Sequence, residues 1–169
     1  MITKQLINEI RKKHILPWHG VHGVAHWSRV RWNGLKLAEK TGANKRVVEL
    51  FAFLHDSCRI TDRADLEHGD EAASFARYLQ VKNIIQLGEY ELSLLQFACR
   101  FHSHGGNDSN ITVQTCWDAD RLDLGRVGII PDPNLLCTDA ARELREEAYA
   151  RSIGYFKKNN YLHFYNIDI

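Results

Sequence analysis

Four side chains from separate parts of the sequence are of the types that bind divalent metal ions. His55 and Asp56 are adjacent, His26 lies upstream, and Asp120 lies downstream. Two neutral imidazoles and two carboxylates make a mixed nitrogen and oxygen site, which suits six-coordinate ions such as Mn²⁺, Fe²⁺, Co²⁺ or Ni²⁺ with water in the remaining positions. Because a substrate binds at such open positions, these residues predict a metal-dependent site.

The elements that must position these residues are helices. Apolar residues recur at the spacing of one helical face between Val47 and Cys58, with Asn44 as the candidate N-cap. Further helices are predicted near residues 2–14, 24–40, 72–79, 94–101, 111–121 and 138–158. Strand alternation is almost absent, and there is no repeat or linker. We therefore expect an all-α, single-domain helical bundle of about six to seven helices over residues 1–169.

Composition bounds the class of protein. The 169 residues include 22 Lys and Arg against 21 Asp and Glu with no block of like charge, so nothing indicates a nucleic-acid-binding surface. No stretch resembles a signal peptide or a membrane span. The four cysteines are widely spaced with no C-x-x-C pair, which indicates reduced thiols. We expect a cytoplasmic protein and make no prediction about its oligomeric state.

The order of the candidate ligands and their neighbours resembles the HD-domain superfamily, whose members are mostly metal-dependent phosphohydrolases. Residues 26–30, His-Trp-Ser-Arg-Val, are similar to its first motif, and residues 118–123, Asp-Ala-Asp-Arg-Leu-Asp, to its last. The resemblance spans roughly residues 20 to 130. It implies an all-α core in which His26, His55, Asp56 and Asp120 hold a divalent ion, with Mg²⁺ and Zn²⁺ added to the candidates above.

Helix geometry limits which of these residues can face one ion. Asp118 and Asp120 are separated by about 200° of rotation on a helix, so only one of them can be a ligand, and the resemblance favours Asp120. Asp118 or Asp123 then orients a ligand from behind or caps the helix. His22 lies four residues before His26 and is expected to line the pocket. His55 and Asp56 point about 100° apart on a helix, so they share an ion only at the helix end.

Further histidines decide between one metal ion and two. Some relatives add two histidines between the His-Asp pair and the final Asp, and this chain offers His68 with either His102 or His104. The interval from Asp56 to His68 is short, which leaves little chain for His68 to approach the metal from another direction. We therefore expect one metal ion per chain rather than two, with these histidines lining a phosphate pocket.

The resemblance implies hydrolysis of a phosphate ester or anhydride, by phosphatase or phosphodiesterase action on a nucleotide or related small molecule. Arg59, three residues past Asp56, is expected to grip a phosphoryl oxygen, and Arg63 and Arg126 are weaker candidates. Asp56 or Asp62 is the candidate general base. The chain departs from many relatives in carrying an arginine where they carry a lysine near this place.

Two alternatives belong to other classes of protein. The superfamily also includes di-iron oxygenases, which would require His68 and one of His102 or His104 as true ligands. A catalytically silent domain that binds a nucleotide as a sensor is the second alternative. A complete ligand set argues against it, because a binding module has no need of one.

Overall fold

The computed structural model describes residues 2–104, 106 and 110–154. Over these residues the chain is an all-α bundle of seven α-helices with no strand, which confirms the predicted fold class. The helices are α1 Lys4–Lys13, α2 Val24–Thr41, α3 Lys45–Leu54, α4 His68–Val81, α5 Glu89–Phe101, α6 Ile111–Arg121 and α7 Asp139–Ile153. The predicted continuation of the last helix to residue 158 lies partly outside the described residues.

Local sequence signals set several helix ends. Asn44 caps α3 through its side chain, which accepts hydrogen bonds from the backbone amides of Arg46 and Val47. Thr138 caps α7 in the same way by accepting from the amide of Ala141. Helix α2 ends at Thr41, directly before Gly42, whose φ of 75° is left-handed as the C-terminal glycine signal predicts.

Helix α3 stops earlier than its apolar pattern predicts. It ends at Leu54, and the chain continues as a tight turn in which the amide and hydroxyl of Ser57 both donate to the Leu54 carbonyl, at 3.1 and 2.8 Å. His55 is the C-cap of the helix and Asp56 lies in the turn. The hydrogen bonding thus tightens from an i→i−4 bond at His55 to an i→i−3 bond at Ser57, and the side chains of His55 and Asp56 reach the same place.

Two glycines allow the close helix contacts that assemble the site. A Cβ on Gly34 of α2 would lie 2.5 Å from Val48 Cγ1 of α3 and 3.3 Å from Ala119 Cβ of α6. A Cβ on Gly69, one residue into α4, would lie 2.7 Å from the Arg100 carbonyl oxygen near the end of α5. The first contact brings together the helices that carry His26, His55 and Asp120, and the second brings His68 close to His102.

The core of the bundle is formed by the faces of α2, α3, α5 and α6, with fully buried Trp27, Phe51 and Phe53 among its largest side chains. All four cysteines are free thiols. Among the described residues, the helices are all too short or too polar to cross a membrane.

Candidate metal centre

His26 and His55 face each other through nitrogen atoms that both carry lone pairs. The Nδ1 of His26 lies 2.7 Å from Asp123 Oδ2, and the Nδ1 of His55 lies 3.1 Å from the Phe51 carbonyl oxygen. Since carboxylate and carbonyl oxygens only accept, each Nδ1 holds the proton of a neutral ring. The two Nε2 atoms are 3.1 Å apart, and both rings are fully buried. Two facing lone pairs at this distance require a proton or a metal ion between them.

Two carboxylates complete this first pair. Asp120 Oδ1 lies 3.4 Å from His26 Nε2 and 3.6 Å from His55 Nε2, and this buried oxygen accepts no hydrogen bond from the described residues. Asp56 Oδ2 lies 3.5 Å from His26 Nε2 and 3.6 Å from His55 Nε2. The four predicted ligands therefore converge from α2, the end of α3 and α6, and we call them the first ligand set.

His68 and His102 form a second facing pair. The Nδ1 of His68 is directed at the Asp65 carbonyl oxygen, and the Nδ1 of His102 donates to the Cys99 carbonyl at 2.6 Å. Their Nε2 atoms are 3.0 Å apart and lie 3.4 and 3.5 Å from Asp56 Oδ1. We call His68, His102 and Asp56 the second ligand set.

Asp56 joins the two sets, because each of its oxygens faces one pair of histidines. His26, His55 and Asp56 of the first set each offer one ligand atom within 4.8 Å of the others, and so do the three residues of the second set. Asp120 forms a third such group with His55 and His102. The short interval between Asp56 and His68 does not prevent their contact, since the loop of residues 57–67 folds back to place His68 at the start of α4. The prediction that this short interval keeps His68 from approaching the metal site is therefore wrong.

Asp123 positions the first ligand set from behind. It accepts from His26 Nδ1, and it pairs with the buried guanidinium of Arg29 through Nε at 2.6 Å and Nη2 at 2.9 Å. This doubly held carboxylate fixes both the orientation and the tautomer of His26. His22 contacts Asp56 directly, with its Nδ1 3.0 Å from Oδ2. Asp123 and His22 thus lie where the sequence places them.

Three predicted residues lie away from the ligands. Asp118 faces the opposite side of α6 and accepts from the amides of Cys137 and Thr138 at 2.7 and 2.9 Å, so it anchors the start of α7 and does not orient a ligand. His104 is exposed and its ring packs on Phe101, which leaves His102 as the second-set histidine. Asp62 is half exposed, and its Oδ1 is 3.9 Å from His22 Nε2.

Arg59 lies beside the second ligand set with most of its donors in use. Its Nε donates to the Thr61 carbonyl at 3.3 Å and its Nη2 to the Arg63 carbonyl at 2.7 Å. The remaining nitrogen, Nη1, lies 3.3 Å from His68 Nε2 and 3.5 Å from Asp56 Oδ1. Bidentate binding of a phosphoryl group by Arg59 would break these hydrogen bonds to the loop. The hydrogen bonds instead hold the positive charge of Arg59 in a fixed position beside the second ligand set.

Arg126, a weaker candidate in the sequence, lies beside both carboxylates of the first ligand set. It is 5% exposed, and its Nη1 and Nη2 lie 4.0 Å from Asp120 Oδ1 and Asp56 Oδ2 respectively. Its position one helical turn after Asp123 was the available signal, but residues 125–133 carry no helical pattern and gave no reason to fold it back over the site.

A cavity of about 270 Å³ opens over the ligands. The segment between α6 and α7 supplies its apolar lining residues, Leu124, Pro131 and Leu135. The lining residues are Asp56, Arg59, His102, Ser103, Asp120, Arg121, Leu124, Arg126, Pro131, Asp132 and Leu135. A cavity of this size admits a small molecule, and the ligand residues Asp56 and Asp120 form part of its lining.

The electrostatics of the ligands favour a bound cation. Burial raises the pKa values of Asp56 and Asp120, but the surrounding imidazoles outweigh it and hold both well below the usual range, so both are ionised. Burial and Arg126 lower the pKa of His26, yet Asp120, Asp123 and Asp56 raise it to about 9. Without a metal ion, a proton on His26 is therefore the cation that these carboxylates hold.

No protein-family model, curated protein or solved structure matches this chain.

Proposed function

We propose that this protein is a metal-dependent phosphohydrolase, as the resemblance to the HD-domain superfamily implies. The observation that carries the proposal is the pair of facing Nε2 atoms of His26 and His55, 3.1 Å apart, with the unpartnered Oδ1 of Asp120 beside them. Every other hydrogen-bonding atom of the two rings is already satisfied. The chemistry of this donor set fits a divalent ion with nitrogen and oxygen ligands.

When bound, a divalent ion lowers the pKa of a coordinated water and offsets the charge on phosphoryl oxygens. The chain's own residues supply the rest. Asp123 and Arg29 hold His26 in the ligating tautomer, and the turn after Leu54 aims His55 and Asp56 at one place. Hydrolysis adds water across the P–O bond and releases phosphate and an alcohol, or two phosphates from an anhydride. Asp62 reaches the ligands only through His22, and its role as base stays a prediction.

We propose one tightly held ion at the first ligand set. The second set has three ligands instead of four, and Arg59 Nη1 already donates to the lone pair of His68 Nε2. A positive charge 3.3 Å from that nitrogen repels a second cation. Arg59 thereby takes the electrostatic place of a second metal ion and keeps the affinity of the second set low.

The two ligand sets contain six residues with Asp56 in common, and this arrangement favours an oxygenase as the second candidate. A di-iron centre needs both sets filled with iron, and Arg59 opposes this arrangement. Iron content near two equivalents with substrate-dependent O₂ uptake would support the oxygenase.

The test of hydrolysis is purification without chelators, elemental analysis, and a panel of phosphomonoesters, phosphodiesters and pyrophosphates with Mn²⁺, Mg²⁺, Co²⁺ and Ni²⁺. We expect turnover that disappears in His55→Ala and in Asp120→Ala. Full metal loading of the first set without turnover of any compound would contradict the proposal and favour the silent sensor domain.

A further inference from the structure

Arg126 differs from Arg59 in having a guanidinium nitrogen that is free to contact a ligand in the cavity. Its Nε donates to the Val21 carbonyl at 3.0 Å and its Nη1 to the Asp123 carbonyl at 3.2 Å. These two bonds hold the side chain in place. The third nitrogen, Nη2, donates no hydrogen bond to any described residue and has only a 4.0 Å approach to Asp56 Oδ2.

The other two arginines of the cavity use their terminal nitrogens in hydrogen bonds or contacts within the protein. Arg121 donates to the Leu135 carbonyl through Nη1 at 2.6 Å and to the Gly106 carbonyl through Nη2 at 2.8 Å, so its terminal nitrogens brace the cavity wall. Arg59 is bound to its own loop, as described above. Among these three arginines, Arg126 therefore has an N–H group, on Nη2, that is available to a substrate. Its other two hydrogen bonds hold the guanidinium in place before the substrate binds.

The charges that line the cavity limit the substrate class. Among the described residues, three arginines and three aspartates line it, so their formal charges cancel. One divalent ion then leaves an excess of two positive charges. A dianion neutralises this excess, whereas a monoanion leaves one charge uncompensated in a partly enclosed site. A phosphate monoester is a dianion above about pH 7, and a diester is a monoanion at every such pH.

The size of the cavity limits the organic part. A volume of about 270 Å³ lies below the usual range for drug-sized ligands, which begins at about 300 Å³. Leu124, Pro131 and Leu135 add apolar lining that is suited to a compact organic group.

We propose that the cavity binds a small phosphate monoester as its dianion and that Nη2 of Arg126 contacts the phosphoryl group. The inference rests on the proposed function for turnover, and it deepens that function by selecting monoesters over diesters. Arg126 then acts as a specificity determinant, because its contact is stronger with an oxygen that carries more charge.

The test compares two substrates that share a leaving group and differ by one charge. The metal-loaded protein is assayed at pH 8 with p-nitrophenyl phosphate and with methyl p-nitrophenyl phosphate. We expect a clear preference for the monoester. Arg126→Gln keeps much of the side-chain volume and should lower kcat/KM for the monoester by about 10- to 100-fold, with a smaller loss for the diester. Arg77→Ala, which removes an exposed arginine of α4 that pairs with Glu89, should change neither value.

A binding measurement separates this inference from hydrolysis itself. Calorimetry on the metal-loaded protein should show tighter binding of inorganic phosphate than of dimethyl phosphate, and Arg126→Gln should abolish the difference while metal content stays unchanged. If neither ester is hydrolysed but this discrimination is observed, hydrolysis fails and the inference stands. Equal or better use of the diester, or discrimination that survives Arg126→Gln, would overturn it.

Discussion

At the scale of single residues, the two aspartates of α6 have different roles although they are two positions apart. Asp120 faces the histidines of the first ligand set, and Asp118 anchors the start of α7 through the backbone of Cys137 and Thr138. The rotation between alternate helical residues accounts for this division, and it was available from the sequence. What the sequence did not give was the partner of Asp118, since that partner comes from an irregular segment.

Substitution of the two aspartates should therefore affect different properties, metal binding for Asp120 and stability for Asp118. Asp120→Asn should lose most of the bound metal and keep the fold, because its oxygen faces the ion. Asp118→Asn should keep its metal and lower the free energy of unfolding by about 1 to 2 kcal/mol, since it weakens a buried cap. Elemental analysis and urea denaturation of both variants check this. The reverse ranking in metal content would reassign the ligand to Asp118.

Arg59 gives a second prediction at this scale. If its charge keeps the second ligand set from binding metal, Arg59→Ala should tighten binding of a second Mn²⁺ ion and raise the stoichiometry toward two per chain. Calorimetric titration of metal-free protein under anaerobic conditions measures this. Arg77→Ala, which removes an exposed arginine of α4, serves as the control and should leave the stoichiometry at one. A second equivalent that is equally tight in the unaltered protein would show that Arg59 does not oppose it.

At the scale of elements, close packing of α2 against α3 and α6 brings the first ligand set together. Gly34 has no space for a side chain against Val48 and Ala119. Gly34→Ala should destabilise the protein by about 1 to 3 kcal/mol through overpacking. Because the nearest atom belongs to the Val48 side chain, Val48→Ala should relieve part of that cost.

Urea denaturation of the two single variants and the double variant measures this coupling. Gly154→Ala is the control, since no atom of the described part of the chain lies within 4 Å of its added carbon and its φ of −64° suits alanine. Strictly additive losses for Gly34→Ala and Val48→Ala would show that the contact does not set the distance between the helices.

Helices and their caps were predictable because they depend on short-range signals. Asn44 and Thr138 cap helices as predicted, and Gly42 follows the end of α2. The early end of α3 was not predictable from its apolar pattern, since that pattern continues to Cys58 while the Ser57 hydroxyl competes for the Leu54 carbonyl. The meeting of His68 with Asp56 also depends on the path of a loop, which no periodicity encodes.

At the scale of the whole molecule, the buried charges should make stability depend on pH when no metal is bound. Burial and Arg126 lower the pKa of His26, but the three nearby carboxylates raise it to about 9, and Asp56 similarly outweighs burial to raise the pKa of His102. A histidine whose pKa is higher in the folded protein than in the unfolded chain stabilises the fold. The stabilisation is complete below the pKa in the unfolded chain, about 6.5, and is lost as the pH rises through the pKa in the folded protein.

The melting temperature of the metal-free protein should therefore fall between about pH 6.5 and pH 9. Bound metal replaces the proton on His26, so the loaded protein should lose less over the same range. Thermal denaturation of both forms at several pH values, with His26→Gln as the control, measures the difference. A metal-free protein whose melting temperature rises across this range would contradict the assignment.

The proposed function depends most on the position of the metal ion. Crystals grown with Mn²⁺ should show one dominant anomalous peak within about 2.0 to 2.3 Å of His26 Nε2, His55 Nε2, Asp56 Oδ2 and Asp120 Oδ1. A weaker peak between His68 and His102 is compatible with low affinity at the second set. A dominant peak anywhere else, or none near the first set at saturating Mn²⁺, would contradict the proposed metal centre.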